Sequence, residues 1–463
     1  MKKKLIYFSL IALLTNVGCR KIQVDGGTDN LNPGTPSENV ILEGRITENK
    51  LLKANYTYKL RGLVYVTNGA ILTIEPGTKI VGEKNKMGGL VITRSAKIIA
   101  DGTAEKPIVF TSEEANPQRG DWSGIVLLGN APTNASFNGQ DGVGEIEGGI
   151  NNSDGLGLYG LGSSSNPADN SGILRYVRIE YAGYAFLPDK EINGLTFGGV
   201  GNGTIIDHVQ VSYANDDSFE WFGGTVNCTH LISYKALDDD FDTDNGYSGK
   251  VQFGIIIRDS AVADISKVEG FESDNDANGS QLKPQTKAVF SNITVLGPKA
   301  ELNNIGNSLF LAGAQIRRNS SMSLFNSIIM GWPTGILIDA SKGSPTDKNL
   351  GEGLNIQNNI IAGCTLPVKY AASSSLPTGA TSESILTWFN TPAFGNTIVT
   401  KNSDVKLEDA FNYAKPEVNP KAGSIALTGA AFSNNLLKSG FSPVSYRGAA
   451  GLNDTWYKGW TKF

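Results

Sequence analysis

Acidic side chains are the residues of this sequence whose type and spacing best suit a chemical role. Five aspartates lie within residues 238–244, and a second acidic stretch follows at residues 272–279. Mutual repulsion among carboxylates in a compact turn is costly without a counter-ion. Calcium can supply one, because it takes about six to eight oxygen ligands in flexible geometry. The second stretch begins like a calcium-binding loop, but its twelfth position is Gln285 instead of the glutamate of an EF-hand.

We therefore predict a site for calcium or another hard cation at one or both stretches. The predicted ligands are Asp238, Asp240, Asp242, Asp244, Asp274, Asp276 and Asn278. The alternative is a set of exposed acids that solvent screens. A zinc site is not expected, because the chain has only two histidines and lacks the cysteine and histidine spacing of such sites.

An earlier acid pair permits an enzymatic hypothesis as well. Asp216 and Asp217 are followed by a second pair, Asp238 and Asp239. If the interval between the pairs makes one turn of a coil, carboxylates on neighbouring turns reach the separation of roughly 5–10 Å that glycoside hydrolysis needs. Asp216, Asp217 and Asp239 are therefore candidate catalytic acids. A calcium-dependent polysaccharide lyase is the other possibility, for which Arg178, Lys235 and Arg258 are the nearest basic residues in the sequence.

Aromatic residues near the acids are candidates for ligand contacts. Trp221 and Tyr247 can stack on sugar rings if they are exposed, whereas packing in the core is the alternative. Arg178 lies on the outward face of a predicted strand and is a third ligand-binding candidate. That polar face is a site for a sugar or simply a solvated sheet.

The elements that position these residues are short strands that recur along the chain. Residues 173–182 return as residues 205–214, with Val177 and Ile179 matching Val209 and Val211. A third and looser copy covers residues 227–234, at the same interval as the two acid pairs, and its register is predicted to slip after Leu231. Period-two alternation places the matched aliphatic residues inside and the residues between them outside.

Strands of three to five residues without helices between them cannot form βαβ units, but they can form a coil whose turns stack in parallel. We predict an all-β, single-stranded parallel β-helix in which each turn satisfies the backbone hydrogen bonds of the next. An Asn recurs before Ile293, Ile328 and Ile360 and is predicted to mark one corner. Long loop excursions should include residues 131–170.

Both ends of this coil are predicted to be capped, because an uncovered turn exposes an edge strand. The C-terminal aromatic residues Trp456, Trp460 and Phe463 are expected to cover the last turn. Cys228 and Cys364 are expected to be buried thiols that fill core positions, because their distant positions in a stacked chain place them several layers apart, beyond disulfide reach.

The N-terminal sequence predicts that the protein is exported from the cytoplasm. Lysines at positions 2–4 precede an apolar run that is too short to span a bilayer, and residues 1–18 are typical of a signal peptide. Gly18 before Cys19 resembles a lipoprotein signal, which implies lipid on Cys19 and anchoring to a membrane; an ordinary signal with an incidental Cys is the alternative. Residues 19–39 then form the lipidated Cys and a flexible tether, and residues 40–463 form the β-helix domain.

Charge limits the possible partners. The net charge of −5 becomes −8 once the signal lysines are removed, which excludes nonspecific nucleic-acid binding. We expect a monomer that contacts a membrane through its lipid.

Several phrases carry a resemblance to known proteins: Gly69-Ala-Ile-Leu-Thr-Ile-Glu-Pro-Gly-Thr78, Gly120-Asp-Trp-Ser-Gly-Ile-Val-Leu-Leu-Gly129, Phe219-Glu-Trp-Phe-Gly-Gly224 and Trp456-Tyr-Lys-Gly-Trp460. They resemble the right-handed parallel β-helix, or pectate-lyase-like, superfamily, and more specifically Bacteroidota-type surface β-helix lipoproteins, many of which have no defined activity. The resemblance covers most of residues 60–463. It implies a right-handed coil, but the catalytic motifs of the pectate-lyase and polygalacturonase families are not found.

Taken together, the sequence predicts a lipid-anchored β-helix at the outer membrane or cell surface. Its expected function is to bind a glycan or a partner protein, with calcium as a possible stabilising ion. The alternative is a calcium-dependent polysaccharide lyase or glycoside hydrolase.

Overall fold

Parallel pairing between successive coils builds this structure. The computed structural model describes residues 39–187, 190–298 and 308–463, which pack as one body. Twenty-seven of the described strands form one continuous sheet in which neighbours pair in parallel. The sheet closes into the predicted right-handed parallel β-helix.

Each coil contributes to three faces, named here the first, second and third sheets, and the strands are numbered in chain order. The N-terminal coils contain β1 (Asn39–Ile46) and β3 (Thr57–Val66). The first sheet contains β2 (Lys50–Leu52), β4 (Ile71–Ile74), β7 (Lys97–Asp101), the first halves of β14 (Gly172–Glu180), β18 (Ile205–Ser212), β20 (Asn227–Tyr234), β22 (Lys250–Ile257) and β25 (Val289–Leu296), and then β27 (Ser323–Phe325) and β30 (Ile356–Gln357). The second sheet contains β5 (Lys79–Gly82), β8 (Ile108–Ser112), the second halves of the same five long strands, β28 (Ile328–Met330), β31 (Ile360–Ala362) and β33 (Thr397–Val399).

The third sheet follows the second after a sharp bend. It contains β6 (Gly89–Ile92), β9 (Gly124–Leu128), β17 (Leu195–Gly198), β19 (Phe219–Phe222), β21 (Phe241–Asp244), β23 (Val268–Glu269), β24 (Phe271–Ser273), β26 (Phe310–Ile316), β29 (Thr334–Asp339) and β32 (Leu366–Ala371).

Elements outside the coil are short. Four antiparallel hairpins pair β10 (Ser136–Phe137) with β11 (Gln140–Asp141), β12 (Gly144–Glu145) with β13 (Leu158–Tyr159), β15 (Ala185–Leu187) with β16 (Lys190–Glu191), and β34 (Leu407–Asp409) with β35 (Glu417–Pro420). The described α-helix is α1 (Ser382–Phe389), and the 3-10 helices are Lys84–Lys86, Gly162–Ser164, Thr346–Asn349, Pro392–Phe394, Asn402–Val405, Ile425–Leu427 and Asn435–Leu437. Among the described helices, none has the length and apolar character needed to cross a membrane.

The register of the repeated strands agrees with the sequence in two copies and differs in the third. Val177 pairs with Val209, and Val209 pairs with Leu231, so the copies lie in successive coils. The predicted slip after Leu231 is wrong, because pairing continues without a break to Ser212 and Tyr234. An inward Ser233 interrupts the apolar pattern while the backbone stays in register.

In the coils from β14 onward, the bend between the first and second sheets is made by one left-handed residue. Its φ is 55° at His208 and His230, 59° at Asn292 and 51° at Asn326. Asn tolerates this conformation better than most residues, which confirms the predicted Asn corner. In earlier coils rings take the same position: the Tyr176 and His208 centroids are 4.3 Å apart, and those of His208 and His230 are 4.2 Å apart.

Stacked aliphatic and aromatic side chains fill the interior. Val177, Ile179, Val209 and Val211 lie inside as predicted. Cys228 and Cys364 are both buried, as predicted.

The ends of the coil are covered differently from the prediction. Helix α1 packs against β32, and Ile385 and Phe389 of this helix join the core at the last coils. The C-terminal aromatic residues lie elsewhere: Trp456 contacts His230 at 4.9 Å, and Trp460 contacts His208 at 5.8 Å between ring centroids. The expectation that they cover the last turn is therefore wrong.

The C-terminal segment, residues 441–463, instead lies along the outer side of the middle coils. The Gln210 side chain donates to the Lys462 carbonyl at 2.7 Å and accepts from the Lys462 amide at 2.9 Å. Gln252 forms the same pair of bonds with Ser442, at 2.8 and 2.7 Å. Each glutamine side chain thus bonds one backbone N–H and one backbone C=O of the segment, as the backbone of a neighbouring strand would. At Gln210 the outward polar face, which the sequence left as either a sugar site or a solvated sheet, is covered by this segment.

We expect His230, which contacts Trp456, to make the attachment of this segment sensitive to pH. Burial lowers the pKa of His230 below its usual 6.5, so the unfolded chain takes up the proton more readily than the folded one. The stability that the neutral ring contributes is present above this usual value and is lost as the pH falls through the lowered pKa. In His230→Phe, which retains ring stacking, we expect the melting temperature to depend less on pH between about 7 and 5. Identical pH profiles for the two proteins would contradict this role.

Candidate functional site

The third sheet carries a repeated acidic pattern. The segments Asp217-Ser-Phe-Glu220, Asp239-Asp-Phe-Asp242 and Glu269-Gly-Phe-Glu272 occupy the same position in three successive coils, because Glu220 pairs with Asp242 and Asp242 with Glu272. The central phenylalanines are buried in the core. Anchoring each Phe inside holds the two flanking acids of its coil at the surface of the third sheet. We call these six acids the carboxylate array.

Backbone hydrogen bonds tie one column of the array from coil to coil. The Asp239 amide donates to the Asp217 carboxylate at 2.9 Å, and the Glu269 amide donates to the Asp239 carboxylate at 2.6 Å. The side chains of this column are thereby held in place by the same pairing that stacks the coils.

The array brings carboxylate oxygens into two compact groups. Oxygens of Asp217, Glu220 and Asp242 lie within 4.8 Å of one another, and so do oxygens of Asp239, Glu269 and Glu272. A third group at the edge of the array consists of Asp216, Asp217 and Asp238, within the same distance. Three converging carboxylates are a donor set that suits a hard divalent cation.

Few basic groups offset this charge. Within the array, among the described residues, only Glu272 forms an ion pair, and its partner is Arg317. Arg317 is also shared with Asp274, whose Oδ1 is 2.9 Å from the Arg317 Nε. The six array carboxylates therefore face one guanidinium.

Several oxygens at the array are buried without a hydrogen-bond partner among the described residues. Glu269 is only 1 % exposed, and its Oε1 has none. Asp238 Oδ1 and Asp242 Oδ1 are also buried without a hydrogen-bond partner among the described residues. The same is true of the side-chain amide oxygens of Asn193 and Gln315, which flank the array in the neighbouring coils. Buried polar atoms are rarely left unpaired, so these oxygens point to a cation as the partner.

Burial and mutual repulsion also perturb the acids themselves. Burial, followed by the charges of neighbouring acids, raises the pKa of Asp217, Asp239 and Asp242 well above the usual range. Burial raises the pKa of Glu269 to about 7. The array cannot be fully ionised near neutral pH without additional positive charge.

The predicted metal ligands divide into two sets. Asp238 and Asp242 belong to the groups just described. Asp240 does not: it is fully buried 3.1 Å from the equally buried Arg258. Asp244 accepts a hydrogen bond from the Asn245 amide at 2.5 Å, next to the array.

In the predicted second calcium loop, Asp274 and Asp276 belong to none of the converging groups among the described residues. Asp274 is paired with Arg317 and Arg318. Asp276 accepts hydrogen bonds from the amides of Asn278 and Ser280 and thus closes its own turn, while the Asn278 side chain is exposed. The carboxylates of this loop already have partners within the protein.

The three catalytic candidates do come together near one another. Asp216 and Asp217 share a group with Asp238, and Asp239 lies in the next coil of the array. The interval between the two aspartate pairs is one coil, as predicted.

Of the three ligand-binding candidates, two are core residues and Arg178 lies on the outward face of its strand, as predicted. Trp221 and Tyr247 are fully buried and stack on each other with centroids 5.4 Å apart, so they cannot contact a glycan. Arg178 lies on the second sheet, where it pairs with Glu180 at 3.1 Å and donates to the Trp460 carbonyl at 3.3 Å. The alternative given for Trp221 and Tyr247, packing in the core, is therefore the correct one, because both point into the coil.

Sequence reasoning missed Glu220 and Glu269. The signal was present as the acid-x-Phe-acid pattern, which begins at Asp217, returns at Asp239 and returns again at Glu269. The second interval is longer than the first because a longer loop precedes Glu269. Unequal intervals conceal the repeat until the register is known.

Fold and site together define a parallel β-helix with a cluster of acids on one outer face. Residues 44–396 match the family described as a pectate-lyase-like β-helix domain, and the chain belongs to this family. No curated protein matches the sequence.

A substitution at Glu269 tests whether burial and repulsion among the array carboxylates destabilise the folded protein. With all divalent cations chelated at about pH 8, we expect Glu269→Gln to be more stable than the native protein by roughly 3 kcal/mol, because each unit of raised pKa corresponds to about 1.4 kcal/mol. Chemical denaturation measures the difference. Asp141→Asn, which neutralises an exposed acid in a hairpin, is the control and should have no effect. A loss of stability in Glu269→Gln under chelation would contradict the claim that the ionised Glu269 carboxylate destabilises the folded protein.

Proposed function

We propose that this protein is a calcium-dependent binding module whose ligand is an acidic glycan. The observation that carries the proposal is the carboxylate array, in which six acids from three coils face one guanidinium and the buried Glu269 Oε1 has no hydrogen-bond partner among the described residues. Calcium fits this all-oxygen donor set.

The array also has an open side. Asp242 and Glu272 are only partly buried, whereas Asp217, Asp239 and Glu269 form the buried floor. A cation held by three carboxylates retains coordination positions for outside oxygens. Carboxylate and hydroxyl groups of an acidic sugar can fill them, which supports a glycan as the ligand.

A binding role is favoured over a lyase reaction because the two arginines beside the array are engaged. Arg258 is fully buried against Asp240, and Arg317 is held by Glu272 and Asp274. Neither is free to remove a proton from a sugar.

Glycoside hydrolysis is the second candidate function, and one observation favours it. Carboxylate oxygens of Asp216, Asp217 and Asp238 lie within 4.8 Å, and burial raises the pKa of Asp238 to about 7. A carboxyl group that burial keeps protonated beside other carboxyl groups can serve as the general acid of this reaction.

Calcium binding and glycan binding should fail together in Asp242→Asn. We expect calcium to raise the melting temperature of the native chain and to allow its retention on an immobilised polyuronate, with both effects lost under chelation and in the variant. Asp141→Asn, with its exposed acid far from the array in sequence, should behave like the native chain.

A polyuronate bound equally well with calcium and with chelator would refute the calcium-dependent proposal. Turnover of a glycan panel that is lost in Asp217→Ala and Asp239→Ala, while folding is retained, would replace it with the enzymatic one.

We also propose that the module is displayed at the cell envelope by lipid on Cys19, which lies outside the described residues. The support is the apolar leader and the Gly18-Cys19 junction. Replacing Cys19 with Ala should move the protein from the membrane fraction to the soluble fraction, as measured by fractionation and blotting. Retention of the variant in the membrane fraction would overturn the anchor.

A further inference from the structure

The carboxylate array has two positions for a cation, one between each pair of neighbouring coils. Slot one is formed by Asp217, Glu220 and Asp242, and slot two by Asp239, Glu269 and Glu272. The neighbouring coils place Thr196 beside Glu220 and Gln315 beside Glu272, so the acid columns end there. Within the described residues the two columns of the array thus form two slots. The third group, Asp216, Asp217 and Asp238, has only Asp217 from the array and shares it with slot one, so it is not a slot of its own.

The two slots differ in their internal positive charge. Glu272 of slot two pairs with Arg317, whereas no lysine or arginine among the described residues forms an ion pair with a carboxylate of slot one. Arg317 is held in place because its Nε is 2.9 Å from Asp274 Oδ1. A cation that enters slot two must compete with this guanidinium for Glu272.

Slot two nevertheless requires an additional positive charge. Its most deeply buried acid, Glu269, is 1 % exposed and has an unpartnered Oε1, which Arg317 does not satisfy. Six carboxylates against one guanidinium leave five negative charges when all are ionised, and two divalent cations offset four of these. One cation would leave three.

We propose that the array binds two calcium ions of unequal affinity and that Arg317 weakens the second site by acting as an internal competing cation. Slot one is the tight site, and slot two fills only at higher calcium concentration. This inference rests on the proposed function in taking calcium as the ion, and it adds the number of sites and the residue that sets their difference.

Arg317→Met tests the competition directly, because it removes the charge and retains much of the side-chain length. Calcium alone is titrated into the full chain by calorimetry, with equilibrium dialysis giving the number of ions. We expect the native chain to have one tight and one weak class of calcium site. In Arg317→Met the calcium affinity of the weak class should increase by about tenfold or more, while that of the tight class changes less.

Arg318→Met is the matched control. Arg318 is adjacent in the sequence and pairs with Asp274, but it does not pair with an array carboxylate among the described residues. Its two calcium affinities should match those of the native chain. Glu220→Gln should remove the tight class, and Glu269→Gln should remove the weak class, so the slots remain assignable even if Arg317→Met does not fold.

The outcomes separate the two proposals. One ion per chain in both the native protein and Arg317→Met, or a weak class that Arg317→Met leaves unchanged, would overturn the two-site inference while calcium binding stands. A weak class that survives in Glu269→Gln would also overturn it. The absence of calcium binding in all of these proteins would overturn the inference together with the proposed function.

Discussion

Parallel hydrogen bonding between coils is the constraint on which the rest of this structure depends. A coil of this kind presents unpaired backbone groups along both edges, and only another coil in register satisfies them. The pairing of Val177 with Val209 and of Val209 with Leu231 fixes that register across the middle of the chain. Once it is fixed, every side chain is placed about 4.8 Å from its counterpart in the next coil.

When residues of the same kind stack at this spacing, the consequence depends on the chemistry of the side chain. Rings gain contact, as in the column of Tyr176, His208 and His230 along the first bend. Inward phenylalanines likewise pack against one another, as Phe241 and Phe271 do at 5.6 Å. Carboxylates are forced together by the same geometry, and their repulsion must be offset by protons, arginine or metal ions. The carboxylate array is therefore an arrangement that the coil maintains at an electrostatic cost, which is a reason to regard it as functional.

Closeness in the sequence does not decide which ionisable residues belong to the array. Asp240 lies between array residues in the sequence, yet it faces the interior and is neutralised by Arg258. Arg317 comes from a later strand than its partner Glu272 and meets it only because the coils stack. Ionisable residues that are adjacent in the sequence thus have different roles, whereas residues far apart share one site.

The sequence by itself determined the architecture. Repeated strands without helices between them predicted a parallel coil, and the interval between Asp217 and Asp239 is one turn of it. Alternation within a strand identified Val177 and Ile179 as core residues, because period two depends only on local backbone geometry.

Only the tertiary structure decided which acids act together and which surfaces remain open. Glu269 joined the array although a longer loop separates it from Asp239, and Trp221 proved to be a core residue. The C-terminal segment covered the outer face at Gln210, which is far away in the chain. These outcomes depend on how coils align and on what packs against them. Such long-range contacts leave no periodic signal in the sequence, and that is why the fold was predictable while the site was predictable only in part, as Asp217, Asp239 and Asp242 show.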